Sequence, residues 1–181
     1  MQLFTFLFSV LHYILKKVIY RKDHHMDFIL KRAEVADAEL LAEMRLEMRK
    51  ERETASCPMS DEEFYQYLLE FFREHLADGS FISYIVYDGT QAAACSGLSI
   101  QVHPPTFENP TGKHGYITNM YTRPAWRRMG IAKLLVDKLA EAAKAAGCAQ
   151  LFLNASPMGR SVYVRYGFQP VNGEMSFNPP H

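Results

Sequence analysis

The sequence has few cysteines, and its histidines show no metal-ligand spacing. Its 181 residues contain three cysteines, Cys57, Cys95 and Cys148, which are scattered and form no C-x-x-C pair. This odd, dispersed set favours free thiols and a reducing compartment, so we expect a cytoplasmic protein without a disulfide framework. The seven histidines form no H-x-x-x-H pair on a helix, and we therefore expect no structural or catalytic metal.

A surplus of charge is also lacking, because 20 basic and 20 acidic side chains cancel. Nothing therefore indicates a broad polyanion-binding surface, and we expect no nucleic-acid partner. Hydrophobic residues make up 48% and charged residues 22% of the chain, which are ordinary values for a globular protein. Its length suits one domain, and a homodimer is compatible with the sequence.

A hydrophobic run long enough for a membrane span is missing as well. The longest run, MQLFTFLFSVLHYIL, ends at Lys16-Lys17 and falls short of the ~20 residues that a span needs. It also lacks the basic start and the small-residue cleavage site of a signal peptide. We expect no stable membrane insertion. Three interpretations of this N-terminal run remain open: an accessory amphipathic helix, a weak membrane-surface anchor, or upstream sequence before a start at Met26. We favour the last, with an apolar extension over 1–25 and one domain over 26–181.

The rest of the chain alternates strand and helix signals. Asp37 is a candidate cap for a helix to about Glu53, and Ser60 to Glu63 form a capping box for a helix ending near Gly79. Asp88-Gly89 and Asn172-Gly173 predict hairpin turns. The periodicity predicts further helices over 130–146 and 158–166, and strands over 27–33, 81–87, 92–102, 116–122, 149–154, 168–171 and 174–177. The expected fold class is α/β with a mixed α+β sheet.

The stretch NMYTRPAWRRMGIAK places basic residues and a glycine where a strand meets a helix. A helix start leaves backbone N–H groups unpaired and carries a partial positive charge, so it binds anions. Gly130 allows close approach to the backbone, and Arg127, Arg128 and Lys133 add positive charge. The stretch matches neither G-x-x-x-x-G-K-[ST] nor G-x-G-x-x-G. From these residues alone, a phosphate-binding loop and a plain capped turn are equally good interpretations.

The segment ITNMYTRPAWRRMGIAKLL resembles the coenzyme-A-binding segment of the GNAT (GCN5-related) N-acetyltransferase superfamily, whose pattern is R/Q-x-x-G-x-G/A between a strand and a helix. Arg127, Gly130 and Ala132 occupy the three defining places. A second block, LFLNASPMGRSVYVRYGF, is similar to the family's next strand and helix and ends in its Y-x-x-x-G-F pattern. The resemblance implies a mostly antiparallel, mixed sheet that splays between its fourth and fifth strands and is flanked by helices.

The resemblance also implies acetyl-CoA as co-substrate, bound between the splayed strands. Main-chain groups of the fourth strand would hold the pantetheine arm, backbone amides of the loop and helix start would hold the pyrophosphate, and the second block would line the other wall. The implied cofactor-binding residues are Met120, Tyr121, Thr122, Arg127, Arg128, Met129, Gly130, Ile131, Ala132, Lys133, Asn154, Ser156 and Gly159. Many relatives carry Asn at the position of Ser156.

Two residues are candidates for the chemistry. By resemblance, the Tyr163 hydroxyl faces the coenzyme sulfur, and a phenol of reference pKa ~10 can protonate a thiolate leaving group. Many relatives carry Glu at the position of Asn119, where this side chain could hold a water but cannot act as a base. Substitute bases in or beside the 103–115 loop are His103, Glu108 and His114. A water relay or loss of the proton to solvent would need none of them.

The acceptor is expected against the first two helices and the 103–115 loop. Side chains that could attract a cationic amine or wall a small acceptor are Glu47, Glu51, Glu53, Asp61, Glu62, Tyr65, Tyr67 and Phe107, although solvated helix faces and core packing also explain them. The implied activity is transfer of an acetyl group to a primary amine of a small molecule in a ternary complex. A protein or peptide acceptor, a silent acyl-CoA-binding regulatory module and a peripheral-membrane role are the alternatives.

Overall fold

The structure is a computed structural model that describes residues 18–22, 26–52 and 59–171. The strands are β1 (Val18–Lys22), β2 (Met26–Arg32), β3 (Phe81–Ile82), β4 (Tyr84–Asp88), β5 (Gln91–Val102), β6 (Lys113–Thr122) and β7 (Gln150–Leu153). The helices are α1 (Ala38–Arg52), α2 (Asp61–Asp78), α3 (Ile131–Ala145) and α4 (Arg160–Tyr166). Single 3-10 turns cover Val35–Asp37 and Pro124–Trp126.

The strands form one mixed sheet in the order β1-β2-β4-β5-β6-β7, with β3 paired to β5. Within the described residues, every pairing is antiparallel except that of β6 with β7, which is parallel. A parallel pair needs a crossover, and α3 supplies it between these two strands. The mixed, mostly antiparallel sheet flanked by helices is the predicted fold class.

Helices cover both faces of the sheet. Leu41, Met44 and Phe72 of α1 and α2 pack with Tyr121 on one face. On the other face, Leu135 and Leu139 of α3 are fully buried, and each contributes about 1.5–3 kcal/mol of hydrophobic stabilisation. The sheet is therefore held between two layers of helices, which fixes the position of β6 beside the edge strand β7.

Local signals explain most of the boundaries. Ser60 and Glu63 form the predicted capping box at the start of α2, with the Ser60 Oγ accepting from the Glu63 N–H at 3.2 Å. Gly79 ends α2 in a left-handed conformation, with φ of 78°. The turn at Asp88-Gly89 joins β4 to β5 as predicted, with Gly89 at φ of 58°.

Several predictions of local structure were wrong. Asp37 is not the cap of α1; it is the last residue of a 3-10 turn, where its carboxylate accepts from the Glu34 N–H at 2.8 Å and pairs with Lys31. The predicted strand over 81–87 is broken at Ser83, whose Oγ donates to the Ser96 carbonyl at 2.6 Å. The predicted strand over 168–171 is absent, because those residues form no ladder within the described structure.

The N-terminal segment that we separated from the domain contributes a strand to the sheet. Residues 18–22 form β1, which pairs antiparallel with β2, so an accessory helix does not extend through them. Residues 1–17 and 23–25 lie outside the described residues, as do the turn at Asn172-Gly173 and the predicted strand over 174–177. The boundary at residue 26 stays a prediction.

Candidate functional site

The sheet opens between β6 and β7. Their parallel register begins at His114 with Gln150 and ends at Ile117 with Leu153. β7 stops there, whereas β6 continues to Thr122. The segment from 118 to 122 therefore has β5 on one side and no strand on the other, and we call that side the open edge.

Backbone groups of β6 face the open edge. The Arg123 N–H donates to the Ala93 carbonyl at 2.9 Å, so the backbone of Arg123 faces β5. Since backbone groups alternate between the two sides of a strand, those of Thr122 and Met120 face the open edge. An extended ligand could pair with the Met120 groups and the Thr122 N–H as a missing strand would, because the Thr122 carbonyl already accepts from the Arg127 Nε at 2.9 Å.

A β-bulge lies at the beginning of the open edge. Cys95 pairs with Tyr121 and Gly97 with Thr118, so Ser96 is opposed by both Asn119 and Met120. Asn119 adopts φ of 51°, in the left-handed region that few residues other than glycine tolerate, and Asn is among those few. The bulge directs the Asn119 side chain towards Cys95, whose Sγ lies 3.8 Å from the Asn119 Nδ2.

The side-chain oxygen of Asn119 is buried without a donor. Asn119 is 3% exposed, and its Oδ1 has no hydrogen-bond partner among the described residues. A buried carbonyl in this state costs about 1–3 kcal/mol, so it favours a water or a ligand N–H as partner. Burial raises the pKa of the neighbouring Cys95 thiol to about 12, so this thiol is protonated and unreactive at neutral pH.

The start of α3 follows the open edge. Gly130 is its N-cap, with φ of 81°, and no side chain caps the helix. The Gly130 carbonyl accepts from Lys133 and Leu134, so the first turn is closed. The N–H groups of Ile131 and Ala132 lack an intrahelical partner by position and point out of the helix start. This end can therefore receive an anion.

The three basic side chains near this helix start differ in their contacts. Arg128 is exposed and lies in the left-handed region with φ of 68°. Lys133 pairs with Asp137 at 2.9 Å. Arg127 turns away from the helix start, because its Nε donates to the Thr122 carbonyl at 2.9 Å and its Nη2 pairs with Glu51 of α1.

The strands β6 and β7 separate after Ile117 and Leu153, and we call this point the fork. The second predicted block, residues 151–168, lies on the β7 side of the fork. Asn154 is exposed and follows β7 directly. Ser156 Oγ accepts from the Gly159 N–H at 3.1 Å, which organises the turn into α4. The Tyr163 ring packs edge to face on Phe168 with centroids 5.9 Å apart. Phe168 packs on the cluster that contains Ile117 and Leu153, the last pair before the strands separate. The Phe168 ring therefore lies between the Tyr163 ring and the residues at the fork.

Comparisons with known proteins identify the family. The family model described as Acetyltransferase (GNAT) family matches residues 42–168. The chain belongs to the GNAT acetyltransferase family. No curated protein matches its sequence. The family assignment confirms the predicted resemblance and the fold that it implies.

Solved structures agree with the assignment. A predicted acetyltransferase from Clostridium acetobutylicum, solved with acetyl-CoA, is 31% identical, with a TM-score of 0.76 over 83% of this chain and 96% of that one. A GCN5-related N-acetyltransferase from Ralstonia eutropha JMP134 is 27% identical, with a TM-score of 0.74 over 84% and 98%. An aminoglycoside N-acetyltransferase in complex with CoA is 16% identical, with a TM-score of 0.65 over 88% and 99%, and shares the fold.

In this GNAT acetyltransferase, the acidic residues predicted to attract an amine already have partners. Glu47 pairs with Arg123 at 2.6 Å, Asp61 with Lys50 at 2.7 Å, and Glu62 accepts from Gln66 at 2.8 Å. Glu51 accepts from the Tyr121 hydroxyl at 2.6 Å. Glu53 lies outside the described residues. Glu47, Glu51 and Asp61 have cationic partners and offer little net charge to an acceptor, whereas Glu62 accepts from a neutral amide and keeps its charge.

The aromatic candidates on the acceptor side divide by exposure. Tyr65 is partly buried against the core under α1 and α2. Tyr67 is 62% and Phe107 is 100% exposed. Tyr65 therefore serves packing, while the other two are free to contact an acceptor only from the surface.

The three substitute bases lie at the far end of β6 from the open edge. His114 belongs to the part of β6 still paired with β7, and its ring stacks on Phe152 at 5.4 Å. His103 packs on His114 at 5.2 Å. Glu108 is exposed at the tip of the loop. His114 and Thr118 are four positions apart along the strand, or about 13 Å, so the structure does not bring these groups to the fork.

Other features of the described residues bear on cofactors and location. They include no group of three or more metal-binding side chains. Among them, no helix combines the length and the apolar character that crossing a membrane requires. Cys95 and Cys148 are free thiols, and Cys57 lies outside the described residues.

Sequence reasoning missed the ion pairs between α1 and the loop after β6. Arg123 was not singled out, and Glu47 and Glu51 were interpreted as candidates for the acceptor side. The matching spacing was a usable signal, because Glu47 and Glu51 are four residues apart, as are Arg123 and Arg127. Residues four apart share one helix face, so two acids with this spacing can meet two bases held at a similar separation.

Proposed function

We propose that this protein is an acetyl-CoA-dependent N-acetyltransferase that acts on a primary amine of a small molecule in the cytoplasm. The observation that carries the proposal is the open edge of β6 directly before the uncapped start of α3. The first feature suits an extended arm with amide groups, and the second suits a pyrophosphate. Acetyl-CoA carries both, and complexes with acetyl-CoA or CoA occur among the structural neighbours.

The binding roles follow from the positions of the residues. Met120, Tyr121 and Thr122 provide the strand that pairs with the pantetheine arm. Within the stretch from Arg128 to Lys133, the amides of Ile131 and Ala132 receive the pyrophosphate, since the Lys133 N–H already donates to the Gly130 carbonyl. Gly130 permits the left-handed turn that exposes them. Asn154, Ser156 and Gly159 line the opposite wall. The arrangement needs no metal ion.

The chemistry requires a neutral amine, stabilisation of the tetrahedral oxyanion and protonation of the departing thiolate. Bound acetyl-CoA supplies an activated thioester carbonyl. The neutral amine attacks this carbon, a C–N bond forms and the C–S bond breaks. The buried Asn119 carbonyl holds a water or the amine N–H, which gives the leaving proton a route to solvent. Tyr163 donates its hydroxyl proton to the thiolate. Holding both reactants in one groove contributes up to ~7–11 kcal/mol through orientation.

A thiol-release assay tests the proposal. The protein is incubated with acetyl-CoA and a panel of small amines, polyamines and lysine peptides, and free CoA thiol is measured. We expect turnover with at least one small amine, and Tyr163→Phe should lower kcat about 10²-fold without changing CoA affinity. Tyr166→Phe is the matched control, because Tyr166 lies on the same short helix but faces Asp137 of α3; its kcat should stay near that of the wild type.

Other outcomes would redirect the assignment. Saturable CoA binding without thiol release from any amine would support a regulatory acyl-CoA-binding module. The feature that favours this alternative is Asn119, which stands where many relatives carry Glu. Turnover with peptides alone would move the acceptor to a protein amine. Liposome binding that is lost on deletion of residues 1–17, which leaves β1 in place, would support the membrane-surface role.

A further inference from the structure

Two parallel ion pairs join α1 to the loop that follows β6. Arg123 donates to both carboxylate oxygens of Glu47 from one edge of its guanidinium, at 2.8 Å from Nε to Oε2 and 2.6 Å from Nη2 to Oε1. Arg127, on the other side of the Pro124–Trp126 turn, pairs with Glu51. We call these four side chains the double ion pair.

Each arginine also binds backbone beneath the loop. Arg123 Nη1 donates to the Ala92 carbonyl at 2.7 Å, and Arg127 Nε donates to the Thr122 carbonyl at 2.9 Å. Both guanidiniums are thus fixed at two points, one on α1 and one on the sheet. The Tyr121 hydroxyl also donates to Glu51 at 2.6 Å, so this carboxylate binds one residue before the turn and one after it.

The double ion pair differs from an ordinary surface contact. Isolated exposed pairs contribute about 0–1 kcal/mol, because solvent screens them and flexible side chains must be ordered. Here Arg123 and Arg127 are 26% and 31% exposed, and each makes several charge-assisted bonds. Such bonds are roughly twice as strong as neutral ones, and bidentate geometry fixes orientation as well as distance.

We propose that Glu47 and Glu51 are positioning residues that hold the 123–130 loop through Arg123 and Arg127, and so couple α1 to the anion-binding start of α3. This inference rests on the proposed function, since it assigns the loop to CoA and α1 to the acceptor side. It gives Arg127 a role other than phosphate contact, because its guanidinium is occupied by Glu51 and Thr122. The consequence is that acceptor binding against α1 and CoA binding at α3 change each other's affinity by the same factor.

The first test measures CoA affinity by calorimetry. We expect Glu51→Gln to weaken CoA binding about fivefold or more, which is the lower range of coupling between linked sites. Glu39→Gln is the matched control, because Glu39 also lies on α1 and pairs with Arg73 of α2 at 3.2 Å, away from the loop. Its CoA affinity should equal that of the wild type. With an amine identified by the thiol assay, Glu51→Gln should also reduce the effect of each ligand on the affinity of the other.

A double-mutant comparison separates positioning from direct contact. If Arg127 acts through Glu51, the protein that carries both Arg127→Gln and Glu51→Gln should bind CoA as well as the single variant with the lower CoA affinity. Losses that multiply in the double variant would show that Arg127 contacts the ligand independently, and would overturn the inference.

Hydrogen exchange of the free protein provides a readout that does not involve ligand. The amides of Trp126 and Arg127 donate within the turn, to Arg123 and Pro124. They should exchange faster in Glu51→Gln and at the wild-type rate in Glu39→Gln. Unchanged exchange together with unchanged CoA affinity in Glu51→Gln would refute the positioning role and leave the proposed function standing. Wild-type protein that fails to bind CoA would overturn both.

Discussion

At the scale of single residues, Arg128 has an unfavourable backbone conformation in an exposed position. Its φ of 68° lies in the left-handed region, where a Cβ is crowded by the backbone. Such a residue costs of order 1 kcal/mol or more and persists where its surroundings require it. Here Arg128 lies two residues before the similarly left-handed Gly130. The loop therefore keeps its shape at a cost in stability.

Replacing Arg128 by glycine should remove that cost. We expect Arg128→Gly to be about 1 kcal/mol more stable than Arg128→Ala, because only glycine adopts this conformation without strain. Both variants lose the same charge. The difference between their unfolding free energies, measured by urea denaturation, therefore gives the cost of the left-handed backbone conformation at this position. Equal stability of the two would show that Arg128 is not strained.

Glu51 makes stability depend on pH. The hydrogen bond from Tyr121, with a further contribution from Arg127, holds the pKa of Glu51 below its ordinary value of 4.5. The folded-state pKa is therefore lower than the unfolded one, so the stabilisation is complete above the unfolded value and is lost as pH falls through the folded value.

A comparison with a variant that cannot titrate measures this contribution. The difference in unfolding free energy between wild type and Glu51→Gln should stay constant from pH 8 to about 5 and shrink below about pH 4.5. Urea denaturation at successive pH values gives this difference. A difference that persists unchanged to pH 3 would contradict the assignment of the ionised carboxylate to this network.

At the scale of elements, the start of α3 depends on a left-handed glycine. Gly130→Ala should destabilise the fold by about 1 kcal/mol and abolish or strongly weaken CoA binding, because the loop must change shape to relieve the new Cβ. Gly79→Ala is a matched control, since Gly79 ends α2 with φ of 78° and a Cβ there would meet nothing within 4 Å. It should lose similar stability while its CoA affinity, measured by calorimetry, stays unchanged.

The elements that sequence predicted well are those with local causes. The capping box at Ser60, the stop at Gly79 and the turn at Gly89 each depend on residues within four positions of one another. The order of strands around the R-x-x-G-x-A motif followed from the family resemblance. The fork itself could be expected from that resemblance, but its position at Ile117 and Leu153 required the register.

Features with long-range causes could not be predicted. The direction of the Arg127 side chain is set by Glu51, 76 residues earlier in the chain. The bulge at Asn119 depends on the pairing of β6 with Cys95 and Gly97 of β5, and the tolerance of Asn for positive φ is only a weak local signal. The break at Ser83 depends on its hydrogen bond to Ser96 across the sheet.

At the scale of the whole molecule, ligand binding should raise thermal stability. The open edge and the helix start belong to the folded state, so CoA binds that state and not the unfolded chain. At 100 times its dissociation constant, CoA should stabilise the protein by about 2.7 kcal/mol, or about 5–10 °C for a chain of this size. Differential scanning calorimetry checks this shift in melting temperature. Inorganic phosphate at the same concentration should produce a smaller shift.

The open edge also has a consequence for solubility. An unpaired strand at the rim of a sheet is a template for strands of other molecules, and proteins protect such rims to avoid aggregation. The unpaired groups of β6 lie instead in the interior of the sheet, between β5 on one side and the diverging β7 and α4 on the other. A recess beside a paired strand admits a single extended chain more readily than the edge of another sheet. The fold thereby offers strand-like pairing to a small molecule at a lower risk of edge-to-edge association.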